Sequence, residues 1–96
     1  MNTHFNQLTP AEAERLALLM EECGEVVQAI GKILRHGYDS YHPDGGESNR
    51  SQLEIECGHV RFAMINLCSK GDLTKEHIHE WADIKASKVG EYLHHD

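Results

Sequence analysis

The sequence predicts an all-α protein with about three main helices in the chain. Apolar residues return at steps of three and four along three separate stretches, and no segment alternates with a period of two. Punctuation agrees with that period: Thr-Pro, a dozen residues rich in glycine and polar side chains, and Lys-Gly fall where helices start and stop.

Thr9-Pro10 opens the first helix, with a hydroxyl that can cap and a proline at the first helical position, where no N–H is needed. The helix reads on to about His36. Along it Leu16, Leu19, Met20, Cys23, Val26, Val27, Ile30, Ile33 and Leu34 trace a stripe at the 3.6-residue period, which assigns them to the core. Gly24 and Gly31 each weaken a helix by up to about 1 kcal/mol relative to alanine, which points to close helix approach or a local bend. Gly37 to Ser48, with Pro43, Gly45 and Gly46, is loop, and loops of that length in small domains are often functional. A second helix runs from Asn49 or Arg50 to Ser69, with Leu53, Cys57, Val60, Met64 and Leu67 on one side. Thr74 is expected to cap a third helix that reaches about Leu93 and turns Ile78, Trp81, Ala82, Val89 and Tyr92 inward.

Size and composition bound the rest. Ninety-six residues form a single domain, 1–96, whose core is small enough that help from a partner chain is expected. No apolar run approaches the roughly 18 residues that span a bilayer. Met1 to Leu8 has no basic or apolar leader pattern, so the protein is expected in the cytoplasm. A net charge of −7 argues against a nucleic-acid partner held by its phosphates, and implies bound cations if the chain handles phosphates at all. Cys23, Cys57 and Cys68 cannot all pair and form no C-x-x-C, so they read as small hydrophobes in the core.

The two long helices repeat one device. Glu22-Cys23-Gly24-Glu25-Val26 followed by Ala29 recurs as Glu56-Cys57-Gly58-His59-Val60 followed by Ala63, in the same phase relative to the apolar stripes. Residues three and four apart share a helix face, so Leu18, Glu22, Glu25 and Ala29 form one row and Gln52, Glu56, His59 and Ala63 another. Carboxylates gathered between such apolar neighbours need an opposing charge, and a divalent cation supplies it. Their hard oxygens suit Mg²⁺ or Mn²⁺. The plainer alternative is an ordinary solvated acidic flank. Lys85 and Lys88 fall on the apolar side of the third helix, where they either neutralise phosphates at the acidic rows or extend their stems over the core to reach water. Arg35, Asn49 and Arg50, at the two ends of the loop, are further candidates for phosphate or sugar contacts. The remaining histidines, His4, His36, His42, His77, His79, His94 and His95, suggest no ligand set.

These residues resemble the MazG-like family of nucleoside triphosphate pyrophosphohydrolases, whose signature is E-E-x-x-E on one helix and E-x-x-D on the next. Glu21-Glu22-Cys23-Gly24-Glu25 matches the first motif in full, and Glu56-Cys57-Gly58-His59 matches the second except for His59 in place of aspartate. The resemblance covers roughly residues 14 to 93. It implies Mg²⁺-dependent cleavage between the α- and β-phosphates of a ribo- or deoxyribonucleoside triphosphate (dNTP), with Glu22, Glu25 and Glu56 on the metal. Glu21 is then a ligand to another ion or the base for the attacking water. It also implies a homodimer or homotetramer in which paired helices complete a four-helix bundle. His59 as fourth ligand removes a negative charge and favours Mn²⁺ or softer ions; otherwise it contacts water or phosphate, or impairs the site. Glu56-x-x-His59 is also the spacing of di-iron carboxylate bundles, which makes an oxidase or metal-storage protein the first rival reading. A non-catalytic helical interaction module is the second.

Overall fold

A computed structural model of the chain describes residues 5–95. The first four residues, including His4 and half of the segment expected to lack a leader pattern, and Asp96 lie outside the described residues. The architecture is all-helical: α1 spans Pro10–His36, α2 Asn49–Ser69 and α3 Lys75–Lys88, followed by a single 3-10 turn at Val89–Glu91. Among the described residues no strand forms, and one isolated bridge joins Tyr41 to Ser48. No described helix is long and apolar enough to cross a membrane.

Local chemistry explains the boundaries. Thr9 accepts from the Glu12 N–H at 3.2 Å while the Glu12 carboxylate accepts from the Thr9 N–H at 2.8 Å, a reciprocal cap ahead of Pro10. Gly37, at φ 87°, ends α1 and donates its N–H to Ile33 at 2.7 Å. Ser48 caps α2 by accepting from the Ser51 N–H. Thr74 makes no side-chain cap, and α3 stops at Lys88 rather than near Leu93, where the backbone tightens into the 3-10 turn.

α1 and α2 form an antiparallel hairpin. One end is closed by the loop, where the Asn49 amide donates to the Gly37 carbonyl at 3.1 Å and the Arg50 N–H to the Tyr38 carbonyl at 2.8 Å. Near the other end Arg15 grips Asp72 through two hydrogen bonds, 2.6 and 3.0 Å, both side chains mostly buried. The fork geometry holds the Asp72 carboxyl below the ordinary aspartate value.

The core differs from the one the stripe assigns. Ala29, Ala63 and Leu67 are the buried apolar residues among those described. α1 meets α2 along the row of Leu18, Glu22, Glu25 and Ala29, so only the near edge of the stripe, Leu19, Val26 and Ile33, is half-buried. Met20, Val27 and Leu34 are 73%, 68% and 82% exposed, and Cys23 and Cys57 are exposed with them. The reason is α3, which packs along neither long helix; its first turn, with Lys75 and Ile78, borders α2 across an apolar cleft of about 350 Å³. Trp81 and Tyr92, expected inward, are therefore exposed, as is Phe62 on α2. The radius of gyration is 17.1 Å, against about 12.5 Å for a compact chain of this length. Gly24 and Gly58 have nothing within 4 Å of where a Cβ would stand, so no close helix approach within the chain explains them.

Candidate metal centre

The seam of the hairpin is where the two copies of the repeated device meet. Helix period puts Glu22 and Glu25 on the α2-facing side of α1, and Glu56 and His59 on the α1-facing side of α2. One ligand atom from each of Glu22, Glu25, Glu56 and His59 lies within 4.8 Å of the other three. Glu22 and Glu56 have side chains only 15% and 13% exposed, whereas His59 is 54% exposed and forms the open side. The buried alanines, Ala29 and Ala63, flank the cluster, and their small side chains let the helix backbones approach there.

The cluster is short of protons and donors. His59 Nδ1 is hydrogen-bonded to Glu56 Oε1 at 3.1 Å and also lies 3.3 Å from Glu22 Oε2. The second contact lacks hydrogen-bond geometry, so Glu22 Oε2 is a buried oxygen without a hydrogen-bond partner. Gln52 donates its amide to the other Glu56 oxygen at 3.0 Å. Hydrogen bonding to Glu56, the Glu56 charge and the Glu22 charge all push the Glu25 carboxyl above the ordinary value. Glu56 moves the other way: burial opposes its charged form, but hydrogen bonds from Gln52, Glu25 and His59 outweigh that and hold it low. The two shifts run in opposite directions, so proton binding is favoured on Glu25 over Glu56. A buried carboxylate oxygen without a hydrogen-bond partner, beside a carboxyl whose charged form its neighbours disfavour, is an arrangement that a cation would relieve. The donor set, three carboxylates and one imidazole with His59 on the exposed side, fits a divalent ion.

The other candidates are scattered. Glu21 is exposed beside the cluster and outside it. Arg35 and Asn49 line a cavity of about 660 Å³ at the loop end of the hairpin. Arg50 instead braces the loop, 3.4 Å from Asp39 and 4.4 Å from the centre of the Tyr38 ring. Lys85 and Lys88 are exposed on α3 and are not gathered to the acidic row, because α3 does not pack on the hairpin; Lys85 lies over the Tyr92 ring.

Sequence reasoning missed Lys32, which lines the loop-end cavity and stands on the acidic row itself, one turn beyond Ala29. Carrying the i+3/i+4 count one turn further finds it. His36 and His42, dismissed as ligands, line the same cavity. Compared with family models, curated proteins and solved structures, the chain matches none, so its likeness to the MazG-like family rests on the motif residues themselves.

Proposed function

We propose that this chain is a divalent-metal-dependent nucleotide pyrophosphohydrolase, converting a ribo- or deoxyribonucleoside triphosphate to the monophosphate and pyrophosphate. The observation that carries the reading is the convergence of Glu22, Glu25, Glu56 and His59 around a buried Glu22 oxygen with no hydrogen-bond partner. Those four residues would hold the ion, Mg²⁺ or, with an imidazole in place of one carboxylate, preferentially Mn²⁺. When bound, such an ion polarises phosphoryl oxygens and lowers the pKa of a coordinated water. The protein's own part is positioning. Glu22, Glu25 and Glu56 would supply the negative charge, Gln52 keeps Glu56 oriented, and exposed Glu21 is the base for the attacking water.

The same reading makes the working unit an oligomer. α1 leaves Met20, Val27 and Leu34 uncovered, α2 leaves Phe62 and Ile65, and α3 leaves Trp81. A second copy covers these faces, and two hairpins side by side make a four-helix bundle, as a homodimer or a pair of homodimers. Lys85 and Lys88 reach an acidic row only across that interface.

The test is an assay against a panel of nucleoside triphosphates with Mg²⁺ or Mn²⁺, resolving monophosphate plus pyrophosphate from diphosphate plus phosphate. We expect metal-dependent pyrophosphate release, lost by about a hundredfold or more in Glu25→Gln, since even outer-shell partners of metal ligands are worth up to that much. Absence of turnover with every nucleotide, together with no effect of either ion on melting, sinks the proposal.

A further inference from the structure

The cavity at the loop end of the hairpin adjoins the acidic row without being part of it. It has a volume of about 660 Å³ and lies where the end of α1, the loop and the start of α2 come together. Its wall toward the row is Gln52, which lines the cavity and donates to Glu56 at 3.0 Å, so one side chain faces both compartments.

The cavity inverts the charge of the molecule. The chain has 16 acidic residues against 9 lysines and arginines, yet here Lys32, Arg35, His36 and His42 gather with Glu47 as the one carboxylate in the lining. The Asp44 N–H lies 3.1 Å from His42 Nδ1 and the Asp44 carboxylate 3.6 Å from the same nitrogen, which leaves His42 Nε2 without either contact. Ser40 and Tyr41 add hydroxyls. A lining dominated by donors selects an anion over a nucleobase, whose edges offer donors and acceptors in comparable number.

Position says which anion. Lys32 is seven positions beyond Glu25 on the same face of α1, about 10 Å of helix rise. A four-carbon lysine stem and an extended phosphate chain share that distance between them. We infer that the Lys32–Arg35–His42 cavity seats the terminal phosphates of the substrate, the end that leaves as pyrophosphate, while the nucleoside extends from the opposite, α3-ward side of the acidic row. The inference rests on the metal-and-phosphate reading above and adds to it the direction in which the substrate lies.

The experiment titrates inorganic pyrophosphate, and separately a panel of nucleoside 5′-monophosphates, into wild-type protein, Lys32→Ala and Glu25→Gln by calorimetry, with and without Mn²⁺. Mn²⁺ binding is followed independently by electron paramagnetic resonance. Lys32 is exposed, so the variant is expected to keep its helical circular dichroism. We expect Lys32→Ala to weaken pyrophosphate by about ten- to a hundredfold, the scale of a lost charged hydrogen bond, with Mn²⁺ and monophosphate binding unchanged. Unchanged pyrophosphate affinity in Lys32→Ala, equal loss of monophosphate, or no pyrophosphate binding by the wild type overturns the inference. Failure of the metal reading shows elsewhere, as wild-type protein that binds no Mn²⁺. The cavity is then judged by the metal-free pyrophosphate titration, in which Lys32→Ala either loses affinity or does not.

Discussion

Glu25 binds its proton more readily than a free glutamate does, because hydrogen bonding and charge from Glu56, and the charge of Glu22, disfavour its ionised form. Because the Glu25 carboxyl is raised above its ordinary value of 4.5, the folded state binds this proton more tightly than the unfolded chain does. Stability contributed by the site is therefore lost as the pH rises from about 4.5 through the raised value, and the deficit remains at neutral pH. Glu25→Gln removes the deficit. Without metal the variant should melt above wild type at pH 7 and level with it below pH 4.5, and a series of thermal melts across that range checks it. With Mn²⁺ the order reverses, since only the wild type gains the full binding free energy. Metal affinity itself should fall as the pH is lowered through the raised Glu25 value, because proton and ion compete for one oxygen. The four-residue cluster was legible in the sequence because helix period alone fixes which residues share a face. Lys32 obeyed the same rule and was passed over only because the row was read as ending at Ala29.

At the scale of elements, the existence of the helices and the ends of α1 and α2 followed from short-range signals, the Thr9 cap, Pro10, Gly37 and Gly71, whereas the expected Thr74 cap and the run of α3 to Leu93 did not form. Which side of each helix would be covered was not legible, because that depends on how α2 and α3 come to lie against α1. The apolar stripe marked the side that seeks cover, and the hairpin packs beside it along the acidic row. Among the described residues Leu67 is the one large side chain fully buried, and its carbonyl also accepts from the Asp72 N–H at 2.9 Å. Leu67→Ala should cost about 2–5 kcal/mol in urea unfolding, the range for a leucine truncated in a packed site. Gly24 tells the opposite story, with open space where a Cβ would stand. Gly24→Ala should stabilise by up to about 1 kcal/mol in the same measurement, through helix propensity and a less flexible unfolded chain.

For the whole molecule, two packed helices and an outlying third are too little to bury the apolar side chains the sequence carries. Sequence length and stripe width raise the expectation of a partner, and the uncovered apolar side chains are the surface on which the proposed assembly would form. Val27→Asp, in the middle of the open α1 face, should halve the mass seen by analytical ultracentrifugation without loss of metal-site residues. An unchanged mass would mean that the copies associate elsewhere or not at all. Cys23, four residues before Val27 on the same face of α1, is exposed there. If a second copy covers this face as proposed, Cys23 is shielded in the assembly and meets solvent in a lone chain, so the rate at which a thiol reagent labels it would be a clock for how often and how long the partners part.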